Sequence, residues 1–94
     1  MMSKYKIEMS SRFKKDYKLI QKRNYNVKLL EIVISTLARG ETLSENYLDH
    51  PLKGNYKGYR ECPIAPDWLL VYEICQREFI LYLYRTGTHS DLFR

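Results

Sequence analysis

Two imidazoles, a carboxylate and two guanidiniums are placed along this sequence as a small acid–base catalyst would need them. His50 stands in Asp49-His50-Pro51-Leu52-Lys53-Gly54, and His89 in Arg85-Thr86-Gly87-Thr88-His89-Ser90-Asp91-Leu92-Phe93. They are the only histidines, and both neighbour Gly, Pro or Thr rather than lying within an apolar stripe. Imidazole changes charge near neutral pH and can therefore give or take a proton. Asp67 lies between Pro66 and Trp68, and Arg60 and Arg85 flank the apolar segments. There is no HExxH pair, no glycine-rich phosphate loop and no Gly-x-Ser-x-Gly elbow. Acid–base groups with cations and no metal-ligand pattern suit RNA cleavage by its own 2′-hydroxyl. A base takes the 2′ proton, a cation steadies the phosphorane, and an acid protonates the leaving 5′ oxygen.

Singly, each residue has a duller explanation. His50 precedes Pro51, which favours an extended loop conformation, and Asp67 after Pro66 is a natural turn residue. Arg60 and Arg85 read as surface charges, and Trp68 and Phe93 as partly core. The joint arrangement is what carries weight, because a short sheet with hairpin links can bring these segments to one side.

The elements that must position them can be read from the pattern. Ninety-four residues allow one domain, 1–94, with one modest core. Tyr5-Lys6-Ile7-Glu8-Met9 alternates as a strand does. Ser10 or Ser11 then caps a helix whose Phe13, Tyr17 and Ile20 face inward while Arg12, Lys14, Lys15, Lys18 and Lys22 face out. Asn26 caps a second helix with the stripe Leu30, Val33, Ile34 and Leu37, and Gly40 stops it. After a polar loop over 41–55 come three short segments, 56–64, 68–75 and 79–85, the last two nearly continuous apolar or aromatic runs. The expected fold is α+β: an antiparallel sheet with an N-terminal helical hairpin on one face, in the order β-α-α-β-β-β.

Charge is uneven. The net +5 conceals nine Lys or Arg against only Glu8 and Asp16 in residues 1–28. Such a segment fits a nucleic-acid backbone or an acidic protein partner, or is simply a solvated helix face. No apolar run approaches the roughly 20 residues of a membrane span, and no secretory signal opens the sequence. Cys62 and Cys75 are expected to be reduced, buried thiols of a cytoplasmic protein with no metal or cofactor.

Four ordered blocks resemble a known family. Asp49-His50-Pro51-Leu52-Lys53-Gly54, Lys57-Gly58-Tyr59-Arg60, Pro66-Asp67-Trp68-Leu69-Leu70-Val71-Tyr72 and the run Arg85 to Phe93 are similar to YafQ-type toxins of the RelE/ParE superfamily, over nearly the whole chain. The resemblance implies a RelE-like fold and a ribosome-dependent mRNA interferase of a bacterial type II toxin–antitoxin pair. His50, Asp67 and His89 match the family's catalytic positions, and Phe93 matches a phenylalanine implicated in activity. One position departs: where the family usually has a further histidine, this sequence has Pro63, and Glu61 is the neighbouring group to compensate.

On this reading His89 is the general acid and Asp67 or His50 the base. Lys53, Arg60 and Arg85 hold the phosphate, and Phe93 or Trp68 stacks on a base. Arg12, Lys14, Lys15, Lys18 and Lys22 grip ribosomal RNA. The implied partners are mRNA, the 70S ribosome and an acidic antitoxin of ribbon-helix-helix type, through which alone promoter DNA is reached; no membrane is involved. The rival readings are a non-enzymatic, ParE-like gyrase inhibitor, which would not need the two histidines and Asp67, and an attenuated toxin acting mainly as an antitoxin-binding or co-repressor partner.

Overall fold

The computed structural model describes residues 3–93. Strand β1 (Lys6–Met9) leads into helix α1 (Ser11–Lys22), followed by α2 (Val27–Ala38). Strands β2 (His50–Pro51), β3 (Arg60–Ala65), β4 (Trp68–Cys75) and β5 (Ile80–Gly87) then precede a one-turn helix, α3 (His89–Leu92). The five strands form one sheet in the order β1-β5-β4-β3-β2.

Local sequence explains the helices. The Ser10 hydroxyl accepts the Phe13 N–H at 2.9 Å and donates to the Tyr84 carbonyl at 2.6 Å, so one side chain caps α1 and ties it to β5. Asn26 caps α2 through the Lys28 N–H, and Gly40 adopts φ +80° just past its end. Phe13, Ile20, Leu30, Val33 and Leu37 are buried against Leu70, Tyr72, Leu81 and Leu83, so both helices cover the same face of the sheet. Leu69 and Val71, which alternate with these along β4, pack instead with Leu92 of α3 and with Tyr59 and Tyr84 on the opposite face. β4 is thus covered on both sides, as its unbroken apolar run implies.

Three features depart from the expectation. The sheet is mixed: β1 pairs parallel to β5, from Lys6 with Ile80 to Met9 with Leu83. Its direction follows from Ser10, whose N–H donates to the Leu83 carbonyl and whose hydroxyl donates to the Tyr84 carbonyl, holding the exit of β1 against the middle of β5. His50 lies not in a free loop but in a two-residue edge strand, paired with Glu61 while Pro51 pairs with Arg60. Proline is tolerated there because an outer edge demands no ladder N–H. Finally, α3 follows β5 directly, nucleated by Thr88 and Asp91, each of whose side chains accepts the other's backbone N–H. Both cysteines are free thiols; Cys62 is buried and Cys75 only partly so, which corrects the expectation for Cys75.

Candidate active site

The turn between β3 and β4 consists of Pro66 and Asp67, with Ala65 paired to Trp68 across it. Proline presets the first turn position, and Asp67 takes φ +57°, the left-handed conformation that aspartate tolerates better than most residues. This aims its carboxylate at the start of α3. Asp67 Oδ1 accepts both the backbone N–H of His89 at 3.1 Å and its Nδ1–H at 2.8 Å. Because a carboxylate only accepts, the bond places the proton on Nδ1 and leaves Nε2 to face solvent. The His89 bonds, the side-chain one foremost, hold the Asp67 carboxyl below its ordinary range. Both side chains are more than 60% exposed. The result is an oriented carboxylate–imidazole pair with one nitrogen open to a substrate.

A groove of about 400 Å³ adjoins this pair, and its lining brings Asp67 and His89 together with Glu61, Tyr47, Pro63 and Leu69. Strand register accounts for that grouping. Glu61 is paired with Val71 and Pro63 with Leu69, and both partners belong to the face that α3 covers. His50, opposite Glu61, joins the same face: its Nε2 lies 3.7 Å from Glu61 Oε1. Its Nδ1 donates to the Leu48 carbonyl at 2.8 Å, so the neutral ring carries its lone pair on the nitrogen nearer Glu61. Glu61 is nearly buried. Sequence reading placed it near Pro63, but only the register puts it in the groove.

The two arginines and the tryptophan lie elsewhere. Arg60 alternates with Glu61 and is paired with Tyr72 on the helix-covered side, where its guanidinium meets Asp49, itself accepting the Tyr72 hydroxyl at 2.8 Å. The structure does not bring Arg60 into the groove. Arg85 makes a two-pronged pair with Asp16 of α1 at 2.7 and 3.1 Å. A register shift in the pairing of β4 with β5 after Val71 leaves Tyr84 unmatched and turns Arg85 toward α1. Trp68 is 3% exposed, with its indole N–H on the Thr86 hydroxyl; a buried ring cannot stack on a base, so its expected stacking role is withdrawn. Phe93 keeps that possibility, at 36% exposure and 6.3 Å from the His89 ring. Lys53 is exposed beyond β2, and Arg12, Lys14, Lys15, Lys18 and Lys22 are all exposed along α1. The thiol of Cys62 is pushed up to about 12 by burial and is not a nucleophile.

A mixed five-stranded sheet with two helices on one face and an exposed Asp–His pair on the other defines a small α+β domain that carries an acid–base site. The family model described as the bacterial toxin of type II toxin–antitoxin system, YafQ, matches residues 5–94. The chain belongs to that family. The mRNA interferase toxin YafQ of Escherichia coli K12 is 41% identical over 88 residues, 93% of this chain and 94% of the relative. A metal-bound toxin from Helicobacter pylori superposes with a TM-score of 0.88 at 47% identity, covering 95% of this chain and 99% of that one. The DinJ–YafQ complex from E. coli gives a TM-score of 0.87 at 40% identity, covering 96% and 99%.

Proposed function

We propose that this chain is an endoribonuclease toxin that cuts mRNA on the ribosome through attack of the 2′-hydroxyl, without a metal. The observation that carries this is the Asp67–His89 pair: a carboxylate fixes the Nδ1–H tautomer and presents Nε2 at the mouth of a groove. Protonated at Nε2, His89 is the general acid for the 5′ leaving oxygen, and Asp67 steadies the imidazolium. Because Asp67 is committed to His89 and is a weakened base, the 2′ proton goes to His50, with Glu61 beside it to stabilise the charged ring. Lys53 is the cation for the phosphate, since Arg60 and Arg85 are engaged by Asp49 and Asp16. Phe93 stacks on a base. The basic face of α1 meets ribosomal RNA.

The antitoxin of a DinJ–YafQ-like pair has a matching surface. Ile7 and Met9 of β1, Phe13 of α1 and Leu83 line an apolar groove of about 590 Å³ whose lining also includes Lys14 and Lys18. An acidic, amphipathic segment that orders on binding fits it; a ribbon-helix-helix domain on the same antitoxin would account for promoter binding. Among the described residues no helix is long and apolar enough to cross a membrane; the site of action on this reading is the cytoplasm, where ribosomes translate the message.

Primer extension on a message in a purified translation system tests the reading. Cuts phased with the reading frame are expected, leaving a 2′,3′-cyclic or 3′-phosphate and persisting when a polyamine replaces Mg²⁺. A 3′-hydroxyl end would overturn the mechanism, and inhibition of DNA supercoiling without cleavage would favour the gyrase reading.

A further inference from the structure

We infer that the aromatic row Phe93, Tyr56 and Tyr84 is a stacking track for the single-stranded RNA next to the cut. The inference rests on the endoribonuclease reading and extends it to a substrate subsite. The rings form a chain that starts at the proposed acid. The His89 and Phe93 centroids are 6.3 Å apart, Phe93 and Tyr56 5.2 Å at 86°, and Tyr56 and Tyr84 6.4 Å at 57°. Behind them Tyr59 stacks on Tyr84 at 4.5 Å and 20°, and both rest on Leu69, Val71 and Leu92. The row is therefore backed by core yet faces water: Phe93 is exposed, and each of these tyrosines is partly so.

Contiguous rings left uncovered on one face mark a binding surface. Single-stranded RNA is read by rings on which splayed bases stack, with cations for the backbone. Here Lys53 and Lys57, both exposed, bracket Tyr56 in sequence. The far end of the face is of opposite sign, since Glu8 and Glu73 are both paired with Tyr82. A polyanion is thus admitted at the His89 end and repelled beyond Tyr84, which ends the track there. The rings are also held in place. The Tyr56 hydroxyl donates to the Leu92 carbonyl at 3.4 Å, and the Tyr84 ring is backed by Tyr59. Protein recognition is better served by the apolar groove beside β1 and α1, so the polar-tipped ring row is left for nucleic acid.

The test measures binding of a 2′-O-methylated RNA pentanucleotide, which cannot be cut, and of its abasic counterpart, to the purified toxin. Base–aromatic stacking predicts that Tyr56→Leu weakens the intact oligonucleotide roughly tenfold. The same change should leave the abasic one unaffected, and Tyr56→Phe should recover most of the loss. Tyr82→Leu, outside the track, should change neither. Emission of the single buried Trp68 reports that each variant is folded. Equal affinity of folded Tyr56→Leu and the unmodified toxin for the intact oligonucleotide would overturn the track. So would a loss confined to antitoxin binding, which would assign the surface to a protein. Message cleavage by the unmodified toxin, measured in parallel, separates failure of the track from failure of the endoribonuclease reading.

Discussion

The two faces of the sheet do different work with similar residues. On the helix-covered face, charged groups are matched internally: Arg85 with Asp16, and Arg60 with Asp49, which also accepts the Tyr72 hydroxyl. On the open face the carboxylates meet imidazoles instead: Asp67 with His89, and Glu61 with His50. An arginine–carboxylate pair stays charged at every physiological pH, whereas a histidine–carboxylate pair can pass a proton at neutral pH. The closed face therefore stores stability, and the open face carries the groups of the proposed chemistry. Adjacent residues of one strand, Arg60 and Glu61, fall on opposite sides of that division.

Substitutions should separate the faces, beginning with the core. Trp68→Ala removes a buried ring and its bond to the Thr86 hydroxyl, which keeps only its own bond to the Leu69 carbonyl, costing about 3–5 kcal/mol in a denaturant titration. Antitoxin binding and cleavage should decline together with the folded fraction. A smaller loss concerns the junction of the faces. Gly87 has φ +154°, and a Cβ there would meet Asp91 Oδ2 at 2.9 Å and Asp91 Cβ at 3.1 Å. Gly87→Ala should cost about 1–3 kcal/mol and displace α3, so that cleavage falls further than the melting temperature alone explains.

On the open face, Asp67→Asn keeps an oxygen acceptor but loses the charge that steadies the imidazolium. Single-turnover cleavage should fall about tenfold, matching the roughly 1.5 kcal/mol of a hydrogen bond to a charged group, while the melting temperature stays nearly unchanged because both side chains are exposed. The smallest effect belongs to Asp91. The Arg23 guanidinium at 2.8 Å, with the Thr88 bonds, holds its carboxyl well below the ordinary range. A depressed carboxylate pKa adds stability that is complete above the unfolded value and is lost as pH falls toward the folded one. The pair is partly exposed, so Asp91→Asn should cost no more than about 1 kcal/mol at pH 7. The gap from the unmodified protein, followed by thermal melts, should begin to close only below about pH 4.

Local signals in the sequence carried most of the elements. Ser10 and Asn26 cap α1 and α2 as their side chains suggest, and the apolar run from Trp68 marks a strand covered on both faces. The parallel pairing of β1 did not show, because alternation within four residues identifies a strand but not its neighbour. A four-residue helix such as α3 has no period to detect; Thr88 and Asp91 at capping-box spacing were its only mark. In the candidate site, Asp67, His89 and His50 could be named from residue type and block order. Which cations accompany them could not: the fate of Arg60 turns on strand alternation, and that of Arg85 on a register shift in β5. Glu61 entered the groove for the same reason that Arg60 left it.

The most direct test of the central claim, that His89 oriented by Asp67 transfers the proton, is the cleavage rate of His89→Ala beside its melting temperature. His89 is 62% exposed at the side chain, and its ring bonds only to Asp67 among the described residues. A surface substitution of this kind changes stability by about 0.5 kcal/mol or less, whereas loss of a positioned acid–base group costs about 10²–10⁴-fold in rate. The account predicts a rate reduced by that factor in a protein that melts as before and still binds its antitoxin. Unchanged cleavage by folded His89→Ala would contradict it.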